Sequence, residues 1–403
     1  MISFGHVFFI LLALILLLIP GIALKKLKLL NKAGLAGFVV VLMYVGQPFL
    51  TIQGFVLASD AVPRNGQMAV NLLIMFGLSI LAHLLLFGVA KAIFLPRFSG
   101  FLNRNKQKLA KAAVLNETEE SEAEPADDSE MDPIARKVLR DEKNSGDPLI
   151  LKNKKTAGVY QFITVFSNTG FLGIPFIHML VRAAFPGPYG TPYLYADIAR
   201  IYAVVFVVVF NMASWTLGVV MVTGSWKAVR IKRAFLNPAV FVAVFAIPMF
   251  FFPQINIFNH PSTAFGAYSA HLGQIVRFFA FMATGVSMIV VGVRMADVPL
   301  KQMVTSAGAY VSSFAKLIIA PLVMFLACLI LYHVGILDIR DPNNLMILVM
   351  IAMAAMPAAA SMLAFTERFK GDSELAIEGF LVSTVLSLIT MPILLPILLN
   401  VFF

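Results

Sequence analysis

Between Val165 and Phe176 the chain reads VFSNTGFLGIPF. Ser167, Asn168 and Thr169, together with Gly170, Gly173 and Pro175, interrupt an otherwise apolar segment of membrane-spanning length. Proline removes a backbone donor and clashes with the preceding turn, while glycine tolerates unwound dihedrals, so a helix should break here. Backbone left unpaired at membrane depth persists only where it is buried in protein or lines a watered cavity. A second apolar segment carries a comparable interruption, AAMPAAASMLAF, with Pro357 near its centre and Ser361 just beyond. If the two breaks meet, the N-terminal ends of two half-helices point at one spot, and their N–H groups and positive dipole ends favour an anion there. The chemistry expected is binding and release of a small anion, with no covalent step.

Other polar groups at depth extend the candidate site. Lys316 falls near the centre of its apolar segment, where an ionisable group costs a few kcal/mol or more unless it faces the protein interior. It can neutralise a substrate carboxylate or pair with the C-terminal end of a half-helix. His83 can carry a proton or serve as a hydrogen-bonded packing residue. Gln47 beside Pro48 can face a substrate from a neighbouring segment. Asn211 and Ser387, in segments adjoining the two breaks, either tie helices together or line the site. Asp197 and Arg200, three apart at a helix start, form an expected ion pair.

These residues need a membrane scaffold to hold them. Hydrophobic residues make up 60% of the 403 and charged residues 13%, with a mean hydropathy of +0.87, which excludes an ordinary soluble domain. Ten spans are expected, at about 4–24, 34–58, 68–95, 157–181, 196–222, 236–256, 268–293, 304–333, 344–368 and 374–402. The apolar start lacks a basic leader and a cleavage site and is expected to be a retained first helix. Of the 31 Lys and Arg, 25 lie in the connections after spans 1, 3, 5, 7 and 9. By the positive-inside rule those connections are cytoplasmic and both termini lie outside, in the plasma membrane. The net charge of +10 is then a topology signal, and nucleic acid is not an expected partner.

Residues 98–155, with the acidic run ETEESEAEPADDSEMD between basic stretches, are expected to form a disordered cytoplasmic loop with one short helix near 132–143. The rest divides into a first five-helix repeat, residues 1–97 with 156–222, and a second, residues 223–403. An odd number of spans per half inverts the second relative to the first, the arrangement of many secondary transporters. A shift of 233 residues superposes Pro20 on Pro253 and His83 on Lys316. Cys328 is the single cysteine, which excludes an internal disulfide. No cofactor or metal is expected. The paired aspartates, Ser/His sets and zinc motifs of membrane enzymes do not occur on the spans. The buried carboxylates of cation/proton antiporters are missing from the cores of spans 4 and 9.

The stretch SNTGFLGIP resembles the hallmark of the auxin efflux carrier family, which includes plant PIN-FORMED carriers and bacterial permeases. Pro357 with AFTERFKGD, and then STVLSLITMP, is similar to the ninth and tenth helices of that family. The resemblance implies an all-α, polytopic 5+5 inverted repeat with spans 4 and 9 broken and crossed. It further implies a homodimer built on spans 1, 2, 6 and 7, and spans 3–5 with 8–10 moving as an elevator that carries a small organic anion. By motif match Asn168 is the side chain at the first crossover, and Pro175 and Pro357 are the helix breakers. Three departures separate this chain from the plant carriers. Gln67 and Asn71 stand where those have an acid and a lysine, Ser361 and Met362 stand where those have a second proline, and the long loop follows span 3 instead of span 5. A bacterial-type permease for a small carboxylate fits better than an auxin carrier. A sodium-coupled symporter of the bile-acid type, with cation sites built from carbonyl and Asn, Ser or Thr oxygens, is the alternative within the class. A membrane receptor or channel is the alternative outside it.

Overall fold

The computed structural model describes residues 2–102, 148–187, 191, 193–259, 268–296, 306–337, 345–369 and 371–403. Its helices begin where the sequence supplies caps. Asn31 accepts from the Gly34 N–H at 2.8 Å, Asn65 from Met68 at 3.0 Å, Asn237 from Ala239 at 3.0 Å and Asp372 from Leu375 at 3.2 Å. Each side chain satisfies a first-turn donor that has no partner within the helix.

Among the described residues, seven helices have the length and apolar composition to cross a membrane. They are α1 (Phe4–Lys26), α2 (Gly34–Val56), α3 (Gly66–Ile93), α7 (Leu194–Thr223), α10 (Ser269–Ala296), α11 (Ala307–His333) and α14 (Ser373–Leu399). Three shorter apolar helices, α6 (Thr169–Ala184), α9 (Pro238–Phe251) and α12 (Leu345–Ala355), fall at the remaining expected spans. The shortness of α6 and α12 has a direct cause: each is one piece of a segment that breaks midway. Their other pieces are α5 (Pro148–Val165) and α13 (Ser361–Arg368). Two small helices, α4 (Pro96–Leu102) and α8 (Ile231–Phe235), complete the α-helices among the described residues.

Of the expected loop at 98–155, residues 98–102 and 148–155 are helical, in α4 and α5. Pro148 opens α5 at its N-terminal turn, where a missing N–H matters least, and α4 covers the other end. The acidic run and the expected helix near 132–143 lie outside the described residues.

The contacts draw two main packing groups, with α1 shared between them. Helix α10 packs on the C-terminal part of α1 and on α2, and α2 packs on α9, while the N-terminal part of α1 packs on α6 and α14. At the α1–α10 contact a Cβ on Gly21 would meet the Ile289 carbonyl oxygen at 2.1 Å, and one on Gly292 would meet that of Leu18 at 2.1 Å. Only glycine at both positions lets these backbones touch. In the other group α7 packs on α3, α6 and α12, while α11 and α12 pack on α14. Helix α12 is buried along its whole length and α7 along most of it, so these two form the centre of the molecule. That is the expected place for helices apolar on every side. The ends of the chain are clasped together: the Ile2 N–H donates to Asn400 Oδ1 at 3.1 Å, and Asn400 Nδ2 donates to the Ile2 carbonyl at 2.9 Å.

Among the described residues, four helices carry a widened turn with i→i+5 hydrogen bonding. Three of these, Leu42–Gly46, Thr169–Gly173 and Ala315–Ile319, end two residues before a proline: Pro48, Pro175 and Pro321. The proline ring cannot sit against the carbonyl four residues back, and the turn before it expands. The fourth, Ser214–Gly218, has no proline. There Thr216 Oγ1 donates to the carbonyls of Met212 at 3.0 Å and Ala213 at 3.2 Å, inserting a hydroxyl into the ladder.

Candidate functional site

The two interruptions meet. Ser167 and Ala358 form an isolated antiparallel bridge, in which the Asn168 N–H donates to the Pro357 carbonyl at 2.8 Å and the Ala359 N–H to the Phe166 carbonyl at 2.9 Å. Backbone groups freed by the breaks thus satisfy one another, a requirement inside a membrane. Ser383 Oγ from α14 accepts from the Ala358 N–H at 3.2 Å and braces the second break. Pro175 sits in the first turn of the helix that resumes at Ile174, and neither Asn168 nor Ala360 caps its half-helix with a side chain. Gly170 and Gly173 do not adopt the left-handed backbone for which glycine is usually selected; among the described glycines only Gly224 and Gly335 do. Gly173 instead makes room for Met353 of the facing segment, whose Sδ would lie 2.6 Å from an added Cβ.

Beside the meeting point lies a cavity of about 70 Å³, open on one side to the outside. It sits between α2 and α10 on one side and α7 and α13 on the other. Three of the sequence-derived candidates line it: Gln47, Asn211 and Ser361. The Ser361 hydroxyl is buried without a hydrogen-bond partner, and Ala360 and Ser361 bring the start of α13 to the cavity wall. Asn211 Nδ2 donates to the Val207 carbonyl at 2.9 Å, and its Oδ1 lies 3.5 Å from Asn237 Nδ2. Phe171, Trp215 and Phe365 supply aromatic walls.

The remaining candidates stand elsewhere. Asn168, Thr169, Gly170, Gly173, Pro175 and Pro357 form the crossing itself, behind the cavity wall. Ser387 is buried in α14, with its hydroxyl donated to the Thr384 carbonyl at 2.7 Å. Lys316 is fully buried on the crossing and hydrogen-bonds Ser167 Oγ and the Thr164 carbonyl, the latter at 3.3 Å. His83 bonds the Ser79 carbonyl through Nδ1 at 2.7 Å among the rings of Phe166, Phe206 and Phe210, which is the packing role. The expected Asp197–Arg200 pair forms at 2.8 Å, and Asp197 also accepts from the Ser59 N–H at 3.0 Å.

Sequence reading misses the cation in the cavity wall. In the sequence Arg294, at the end of α10, is one more basic residue of a cytoplasmic connection. In the structure it lines the cavity and makes a two-pronged contact with Glu367 of α13, at 2.7 and 3.5 Å. Arg368 stacks over Trp215, its guanidinium 5.5 Å from the ring. Asn237 and Ser287 also line the cavity without having stood out in the sequence. A cue exists for Arg294: it and Glu367 each end a span on the same side of the expected membrane.

Residues 227–395, from the turn before α8 to near the end of α14, match the family model described as membrane transport protein. This stretch carries the membrane transport domain of the auxin efflux carrier family. The family is one of transporters and not of enzymes. Within the matched domain lie Arg294, Lys316, Pro357 and Ser361, whereas the first break precedes it. Comparison with curated proteins finds no match.

Proposed function

We propose that this protein is a secondary transporter of a small organic anion, a carboxylate, across the plasma membrane. The observation that carries the reading is the meeting of two interrupted helices beside a cavity walled by the uncapped start of α13, the partnerless Ser361 hydroxyl and Arg294. A helix start and a guanidinium both favour negative charge. Aromatic walls add a preference for an anion with an apolar body. In this reading ten spans form a 5+5 inverted repeat with cytoplasmic basic connections and extracytoplasmic termini. The α1, α2, α9 and α10 group is a fixed, dimeric scaffold. The group around α7 and α12 slides past it as an elevator, carrying the anion at the crossing. Packing supports the division, because the cavity lies between the two groups. The proposed substrate-binding set is Asn168, Thr169, Gly170, Gly173, Pro175, Pro357, Ser361, Gln47, Asn211 and Ser387, with Lys316 acting on it through the crossing that it holds, and Arg294 joins the set as a further candidate.

Asn168→Ala tests this reading, because the bridge uses the backbone of Asn168 and survives loss of the side chain. Purified protein in liposomes on a solid-supported membrane would be challenged with malate, malonate, lactate, pyruvate and indole-3-acetate. Electroneutral exchange would be followed by radiolabelled uptake under a pH gradient. The expected result is saturable transport of a carboxylate, abolished in Asn168→Ala although the variant inserts normally. Undiminished transport by the variant removes Asn168 from the site, and silence of the wild type in both assays removes the carboxylate reading.

A further inference from the structure

Hydrogen-bond accounting at the crossing isolates one carbonyl. In an unbroken helix the Thr164 carbonyl would accept from the Asn168 N–H, four residues on. Here that N–H is diverted to Pro357 across the bridge. The Thr164 oxygen is left at the C-terminal end of α5, where the helix dipole is negative. Lys316 fills the vacancy. Its ammonium, 0% exposed, bonds that carbonyl and the Ser167 hydroxyl, and it reaches them from the widened turn Ala315–Ile319 of α11. Among the described residues no carboxylate is paired with it. The charge is met by a helix end and a hydroxyl alone. Carbonyl and hydroxyl oxygens at the C-terminal end of a broken helix are the ligands that transporters use for a soluble monovalent cation.

We propose that Lys316 is a resident cation: it occupies from within the chain the position of a monovalent ion, so that the crossing keeps its positive charge with no sodium or potassium bound. Lys316 acts as a positioning residue that holds the end of α5 and the bridge in place. The consequence for transport, indifference to sodium, rests on the transporter reading, but the binding consequence does not.

The test is thermal unfolding of the purified full-length protein in choline chloride, sodium chloride, potassium chloride and methylammonium chloride at equal ionic strength. Wild type is expected to unfold at the same temperature in all four. Lys316→Ala, which leaves the oxygens and removes the ammonium, is expected to unfold several degrees lower in choline and to regain stability saturably with methylammonium or sodium. A merely structural lysine would give no such rescue. Saturable stabilisation of the wild type by sodium overturns the proposal, as does a folded Lys316→Ala that ignores every small cation. If Lys316→Ala does not fold, Lys316→Arg and Lys316→Met decide: charge retention predicts a stable arginine variant and an unstable methionine variant, and a methionine variant as stable as wild type overturns the idea. Transport by the wild type should persist when choline replaces sodium, and its loss in choline also overturns the proposal. Absence of transport in every medium counts against the transporter reading and leaves the unfolding result standing.

Discussion

A methyl group on Gly158 would lie 1.9 Å from the Met221 carbonyl oxygen, where α5 and α7 pack backbone against backbone. Neither helix can yield without moving the crossing that α5 leads into. On Gly170 of the first break the same methyl meets only Val207 Cγ1, at 3.7 Å, an ordinary contact. Gly158→Ala is therefore expected to destabilise the protein by about 1–3 kcal/mol or more, the range for overpacking a tight interior. Gly170→Ala should fall within about 0.5 kcal/mol of wild type. Thermal unfolding of the two variants in one detergent checks the order, and a more damaging Gly170→Ala would mean that the break, and not the helix contact, constrains the fold. Gly170 of the motif draws attention in the sequence, yet Gly158, before the motif begins, is the more tightly constrained of the two. No spacing rule marks Gly158, since its need arises from the approach of a segment distant in the chain.

Between elements, the contact of most consequence joins α10 to α13 at the Arg294 wall of the cavity. The Arg294 side chain is 13% exposed and that of Glu367 52%, so the pair is wet on one side and contributes at most about 1 kcal/mol to stability. Its importance lies in what it connects, because α10 and α13 belong to the groups that the elevator reading sets in relative motion. Glu367→Gln should leave the unfolding temperature within a few degrees of wild type while freeing the Arg294 guanidinium toward the cavity and lowering the apparent KM for the transported carboxylate. Arg294→Gln should raise that KM on the order of tenfold, the value of a lost charge-assisted hydrogen bond. Equal KM values in wild type and both variants, measured by concentration-dependent uptake, would exclude Arg294 from anion contact. This pair also marks where sequence reading stops. The breaks at Pro175 and Pro357 are legible because residues that break helices are costly inside an apolar span unless the span is meant to break. Lys316 is legible as a charge that must face inward, and the end of a half-helix is one of its two expected partners. Arg294 and Glu367 are not legible, since a charge near a span end is ordinary and only the approach of α13 to α10 gives this one a cavity to face.

At the scale of the whole molecule, hydropathy makes the helical membrane class plain, and seven helices meet the requirement for crossing directly. Segments 4 and 9 evade a length criterion for the same reason that they attract interest: each is cut near its middle. The clasp between Ile2 and Asn400 holds the two ends of the chain together, which agrees with the even number of crossings in the proposed 5+5 arrangement. Which side that is follows from the basic connections alone, and it can be tested without knowledge of the substrate. Cys328 is 1% exposed and should ignore a membrane-impermeant maleimide, so the natural sequence is already a quiet background for labelling. The Asp60 side chain, in the connection after α2, is 77% exposed. Lys232, in α8 between α7 and α9, is exposed as well. Asp60→Cys is expected to react in intact cells, and Lys232→Cys only after the membrane is permeabilised. Reversal of both patterns would invert the protein and put Arg294 and Glu367 on the exterior side. Labelling of both sites from the same side would require an even number of crossings between them. The 5+5 arrangement needs an odd number there, with α3, the broken segment of α5 and α6, and α7 each crossing once, so that outcome would remove it.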